Sequence, residues 1–476
     1  MNARTLLSLL LALSAAWAAC GQDGQAEPES EAVEASQELG ADDLSRQLFE
    51  RAHEFTDRLF LKPINVVGAK WTAINDRIEL KTGLRIGFAY TVLFQTTTSR
   101  VKEYDPPPLG FFRDASPREI VQAVRRYRDE GSTRSATAGD MDFVGRWHLL
   151  GDKEAGNTGY LGFNMEWRHK FSSSAPADLS TPIGSLWNTT VGFNEQEFIM
   201  TQFWWEQKFF GGKFIARLGK IDQADFFHTG RFMSSNLFFQ NAALTDNPAI
   251  AFPDNGGGFN LRWAINERFY LRAGYGDANG RRSENDFSEV FDIDEFFTAV
   301  EFGYTPVFEG CGRGNYRFTF WHTESDSGSD APDGDGFAMA LDQEFGERFV
   351  PFLRYSISSG GGTDVKQLLT VGTGIQAPFG REDDLLGVGF AWGQPYYDSF
   401  SDAPRLLRLI RAVHSGLFEW PNQHALRDQY VAEVFYRLQE SSLVQITPSF
   451  QVIYNPSRNP NQDVVGVLSL RFRVAF

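Results

Sequence analysis

From about residue 80 to the end of the chain, apolar and polar residues alternate over segments of roughly ten residues, and turn-forming or polar stretches separate the segments. A period of two is that of a strand with one apolar and one polar face. The last segment shows it most plainly: Leu468, Leu470, Phe472, Val474 and Phe476 alternate with Ser469, Arg471, Arg473 and Ala475. Roughly ten residues is the length a tilted strand needs to cross a bilayer. About sixteen such segments are present. They lie near 83–95, 142–150, 159–171, 197–209, 213–222, 257–264, 268–276, 295–304, 315–322, 336–345, 348–358, 367–376, 384–392, 429–439, 443–454 and 464–476.

The connections alternate as well. Those after even-numbered segments are short, as at 210–212, 265–267, 346–347 and 440–442, whereas 96–141, 172–196, 223–256, 277–294 and 393–428 are long. A soluble sandwich has no reason to sort its loops in this way; an outer-membrane barrel does. The expectation is an all-β fold, a sixteen-stranded antiparallel transmembrane β-barrel over 80–476 in the cell outer membrane, with long external loops and both termini periplasmic. A chain that ends on an aromatic strand residue, Phe476, suits the closing strand of such a barrel. Helical periodicity interrupts two of the long connections, at 116–130 and 404–414.

Alternation assigns the faces. Leu84, Ile86, Phe88, Tyr90, Phe143, Trp147, Phe163, Trp167, Phe259, Leu261, Trp263, Phe318, Phe320, Val388, Phe390 and Phe450 point outward, toward lipid. The inward positions carry Arg85, Arg146, Arg168, Arg217, Arg262, Arg272, Arg317, Arg354, Arg437, Arg471 and Arg473, with fewer acids, Glu166, Glu206, Glu295, Glu301, Asp342 and Glu433. The wall therefore leans basic. A polar interior too wide for side chains to fill holds water.

Ahead of the barrel, residues 1–19 have the form of an export signal: Arg4, an apolar run from Leu6 to Leu13, then small residues at Ala16, Ala18 and Ala19. Cys20 follows, but Trp17 stands where a lipid-attachment motif wants an aliphatic residue. An acidic, low-complexity linker occupies 20–43. A lead-in over 44–79 carries a short N-terminal helix, with Leu44, Leu48, Phe55 and Leu59 near helical spacing.

Composition narrows the function. Aromatic residues make up 14%, including 44 Phe and 11 Trp, as lipid-facing and interfacial positions require. No stretch beyond the N-terminus is long and apolar enough for a membrane helix. A net charge of −16 argues against nucleic acid. The acidic stretch 324–335 suits solvation, or bridging to lipopolysaccharide through divalent ions. Two cysteines, Cys20 and Cys311, form no metal cluster and imply no disulfide framework, and no cofactor is indicated. The seven histidines lie outside any serine-centred nucleophile motif, so no catalytic residue is assigned.

The connection 223–256 is too apolar for a loop in bulk water, with Phe226, Phe227, Phe232, Phe238, Phe239, Leu244 and Ile250. Folding into the lumen would bury these side chains; contact between subunits is the alternative. Phe226, Phe227, Arg231, Phe232, Phe238 and Phe239 are the expected constriction.

Four stretches resemble the carbohydrate-selective porins of the OprB type. They are Gly219 to Asp222 with the Phe-rich loop after it, Phe252 to Phe259, Ile446 to Pro456, and Arg471 to Phe476. The resemblance implies a sixteen-stranded barrel that passes small sugars down their gradient and offers them arginines and aromatic rings. Guanidinium forks donate to sugar hydroxyls and ring faces stack on the C–H side of the sugar. The expected pore-lining residues are Arg85, Arg217, Arg262, Arg272, Arg471, Arg473, Trp204 and Glu206. The second expectation is a general or anion-preferring porin, since a basic lumen favours anions. The sequence leaves monomer and homotrimer open, the trimer being the analogy that other sixteen-stranded porins offer.

Overall fold

The structure, a computed structural model, describes residues 62–102, 131–132, 134–282, 295–324, 333–346, 348–359, 362–396, 427–459 and 462–476. The export signal, the acidic linker, Cys20, the helix expected within 42–60 and the helical patterns at 116–130 and 404–414 lie outside the described residues.

Sixteen strands form the barrel wall. They are β1 Leu84–Thr97, β2 Ser135–Asp152, β3 Asn157–Lys170, β4 Gln196–Phe209, β5 Phe214–Ile221, β6 Gly256–Ala264, β7 Phe269–Asp277 and β8 Phe296–Tyr304. The second half comprises β9 Gly312–Thr323, β10 Gly334–Gln343, β11 Phe349–Ser359, β12 Val365–Gln376, β13 Leu385–Pro395, β14 Gln429–Gln439, β15 Val444–Tyr454 and β16 Val464–Ala475. Each strand pairs antiparallel with the next, and β16 returns to β1 in the register Ala89↔Ala475 to Thr97↔Val467. No edge is left unpaired in the bilayer. A two-residue ladder, Val307–Phe308, belongs to the turn before β9. Cys311 in that turn is disulfide-bonded, which its isolation in the sequence did not announce.

The alternation expected from the sequence is the alternation observed. Trp147, Trp167, Phe259, Trp263, Phe320 and Phe390 are exposed on the outer face, and cross-strand aromatic stacks tie neighbours together, as in Phe259–Tyr275 and Tyr275–Phe296 at 5.6 and 5.4 Å. β2 starts seven residues before its expected position because its first residues are small and lack an apolar alternation. Gly139 shows why: a Cβ there would meet the Tyr90 hydroxyl at 2.5 Å and the His169 ring at 2.7 Å. Those two side chains hydrogen-bond across the outer face at 2.8 Å.

Among the described residues one helix, α1 Lys62–Thr82, precedes the barrel. It braces the seam where β1 outruns β16. The Asn75 side chain takes the place of a strand partner, accepting from Ile86 N at 3.0 Å and donating to Ile86 O at 2.6 Å. Phe88 and Phe476 complete the seam through paired backbone bonds of 3.1 and 2.7 Å. Gly68 rests on Leu443, in a small cluster with Ile64 and Phe476.

Candidate functional site

Among the described residues, two long connections enter the lumen. The first, 222–255, carries the Phe-rich sequence. Phe226, Phe227 and Ile250 pack with Trp204 of β4, Phe297 of β8 and Trp321 of β9. Farther along, Phe232, Phe239, Ala242, Ala243, Leu244 and Ala249 pack with Phe352 of β11, Leu368 of β12 and Phe435 of β14. Phe238 stands edge-on to Phe232 at 5.5 Å. The second connection, 171–195, also folds inward, which the sequence pattern alone does not predict. Its Leu179, Ile183, Leu186 and Trp187 join the same cluster, and Trp187 Nε1 donates to Asn241 Oδ1 at 2.7 Å. Those four large apolar residues were the available signal.

A backbone segment buried inside a barrel needs partners for its N–H and C=O groups. Charged side chains of the wall supply them. Glu301, fully buried on β8, accepts from His228 N at 2.7 Å while also taking bonds from Tyr270 and Thr319. Glu433 of β14 accepts from Gln240 N at 2.7 Å and Asn241 N at 2.9 Å. Arginines serve the carbonyls: Arg354 donates to Leu244 O at 2.8 Å, Arg317 to Thr229 O, and Arg471 to Ser235 O and to Phe238 O at 3.1 Å. Arg231 of the loop reverses the direction and binds Asp342 at 2.8 Å and Glu344.

This changes the standing of the expected pore-lining set. Arg471 holds the loop. Arg473 is buried against Thr91 at 2.8 Å, with Asp142 at 3.7 Å. Arg262 lies 4.7 Å over the Tyr270 ring, and Arg272 bonds Asn260 at 3.3 Å. Arg217 is paired with Glu206, at 3.1 Å from Nε and 2.5 Å from Nη2, and is sandwiched between the Trp204 and Phe226 rings. Glu206 also binds Arg146 at 2.9 Å. Arg85 pairs with Glu79 of α1 at 3.5 Å. The side chains of Arg85, Arg146 and Arg217 are 30%, 29% and 14% exposed.

Between the loop 222–255 and the inner faces of β2 and β3 a cleft of about 210 Å³ remains. None of the eight expected pore-lining residues borders it; of the expected constriction, Phe227 does. Its charged lining is a ladder that alternation could place inward but could not assemble. Arg168 lies 3.4 Å from Asp140 and 2.7 Å from Glu166. Arg282, from the connection after β7, reaches Glu166 at 3.4 Å, Asp254 at 3.3 Å and Asp222 at 3.8 Å. Burial pushes the Asp222 carboxyl up to about 6, against the pull of Arg282. Burial, then the Arg354 and Arg317 guanidiniums, hold the His228 imidazole well below its usual range, so it adds no positive charge there. Asn164, Gln202, Ser234, Ser235 and Asn236 add neutral hydrogen-bonding groups, and Phe227 and Phe252 add ring faces.

A closed barrel of sixteen strands with a loop folded against its inner wall defines a porin-type channel of the outer membrane, a class that conducts solutes rather than transforming them. Residues 155–476 match the carbohydrate-selective porin, OprB family, and the chain belongs to that family. Among solved structures it is similar to Pseudomonas putida OprB at high pH, with a TM-score of 0.63 and 16% identity over 86% of this chain and 97% of that one. The low-pH structure of the same protein gives 0.45 and 13% over 85% and 96%. A mutant of Rh. blastica porin gives 0.44 and 10% over 83% and 100%. At such identities the likeness to P. putida OprB is one of fold. No curated protein matches the chain in sequence.

Proposed function

We propose that the protein lets small sugars diffuse passively across the outer membrane through a water-filled lumen narrowed by the loop 222–255. The long connections lie outside, and the short turns and both termini lie in the periplasm. The observation that carries this reading is a cleft that offers a sugar both kinds of hydrogen-bonding partner, beside the rings of Phe227 and Phe252, in a chain of a carbohydrate-selective family. Sugar hydroxyls donate to its carboxylates and accept from Arg168 and Arg282. Arg85, Arg146 and Arg217 are the arginines assigned to solute contact elsewhere in the lumen. Each contact is weak enough for release, as conduction requires. Planar-bilayer conductance of the purified protein, titrated with glucose and with a disaccharide, tests it. Concentration-dependent block of the ion current, with glucose-driven swelling of proteoliposomes, is expected. An ion current indifferent to either sugar would favour a general diffusion porin. For topology, a thiol-reactive, membrane-impermeant probe on whole cells should label Asp463→Cys and not Glu154→Cys.

A further inference from the structure

Six carboxylates line the cleft: Asp140, Asp142, Glu166, Asp222, Asp225 and Asp246. Two guanidiniums, Arg168 and Arg282, face them. Two further cations stand behind this lining and do not overturn the excess. Arg473 is buried behind Asp142, and the Lys220 ammonium is held on the carbonyls of Met200 at 3.3 Å and Arg282 at 2.9 Å. Of the inward arginines of the wall, Arg168 borders the cleft, whereas Arg146 and Arg217 are paired with Glu206, and Arg317, Arg354 and Arg471 are bonded to loop carbonyls.

A second observation concerns hydrogen bonding. Asn164 is 6% exposed, borders the cleft, and its Oδ1 accepts no hydrogen bond. Oδ1 of Asp140 is ion-paired with Arg168 Nε at 3.4 Å, and Oδ2 of Asp142 lies 3.7 Å from Arg473 Nη1. Buried acceptors without donors cost free energy unless water or a solute supplies a donor. The cleft is rich in acceptors, so it suits groups that donate.

We propose that the cleft selects by charge, and in the direction opposite to that suggested by the count of inward arginines. It passes small cations ahead of anions, and neutral or amino-bearing sugars ahead of sugar acids and sugar phosphates. An ammonium or hydroxyl meets the carboxylate-rich lining; a carboxylate or phosphate, which only accepts, meets like charge in a narrow low-dielectric passage where the field is least screened. The solute part rests on the sugar-channel reading above, and the ion part stands without it.

The test is the reversal potential of the purified full-length protein in a planar bilayer under a KCl gradient at neutral pH. A K⁺/Cl⁻ permeability ratio above about 3 is expected, falling to about 1 in Asp222→Asn/Asp225→Asn/Asp246→Asn. These three lie on the inward loop, and Asn keeps an acceptor at each position. An anion-preferring wild-type channel would overturn the proposal, as would an unchanged ratio in a heat-modifiable, folded triple variant. Should that variant not fold, swelling of proteoliposomes made with wild-type protein decides the solute part. Glucosamine and glucose should enter several-fold faster than gluconate, and equal rates would overturn it. A cation-preferring channel that admits none of the three would sink the sugar reading alone.

Discussion

Two parts of the inner wall use the same residue types for opposite ends. Along β8–β16, inward charges are covered. Glu301, Glu433, Arg317, Arg354 and Arg471 each meet the backbone or packed side chains of the loop 222–255. Along β2 and β3 the loop stands off, and Asp140, Asp142, Glu166 and Arg168 border the cleft of about 210 Å³. An inward charge is therefore a fastener where the loop lies on it and, on the proposal above, a selectivity element where the loop stands off. Leaving one loop group without its partner costs about 1–3 kcal/mol, so the fasteners are worth more to the loop than to a passing solute.

The largest change should come from the seam on which both walls depend. Deleting Phe476 removes its backbone bonds with Phe88 and its place in the cluster with Leu443. Heat-modifiable barrel in outer-membrane fractions should fall about tenfold, a loss of assembly in which wall contrasts cannot be read.

Next comes the covered wall. Glu301→Ala/Glu433→Ala strands the N–H groups of His228, Gln240 and Asn241. At about 1–3 kcal/mol per stranded group, the loop should leave its seat in a barrel that still folds. Single-channel conductance should rise several-fold. Unchanged conductance would mean that the apolar cluster alone seats the loop.

A pair of single changes then separates the two roles. Arg354→Ala, which frees only the Leu244 carbonyl, should raise conductance by less than about twofold and leave ion selectivity as it is. Arg282→Gln should do the reverse, raising cation preference with little change in conductance, because it removes one of the two guanidiniums in the cleft. If both changes move the same quantity, the distinction between fastener and selectivity element fails.

The smallest effect is in pH. Asp222 faces Arg282, the Ala224 N–H, Asp254 and Asp246, and burial pushes its carboxyl up to about 6. A carboxyl is charged above its pKa, so cation preference should weaken as pH falls from about 7 to about 5. The step centred near 6 should vanish in Asp222→Asn, and a step that survives there would assign the titration to another group.

The sequence by itself determined the barrel and its faces. Strands of period two, short and long connections in alternation and a face of Phe and Trp state the wall almost residue by residue, because a bilayer permits few arrangements of a polar backbone. The inward fold of 222–255 was legible as one of two outcomes, since seven large apolar residues in a connection need burial, in the lumen or against another subunit. Helix α1 was not: Val66, Val67, Ile74 and Leu80 are exposed, and its seat depends on Asn75 meeting Ile86. Nor was the site. Alternation says that Arg217, Arg471 and Asp140 all point inward, but it is silent on depth and on cover. Arg282 lies in a connection, where no periodicity speaks for it. Only the tertiary structure decides which inward charges meet loop carbonyls and which meet water, because that depends on where a folded connection comes to rest against strands far from it in sequence.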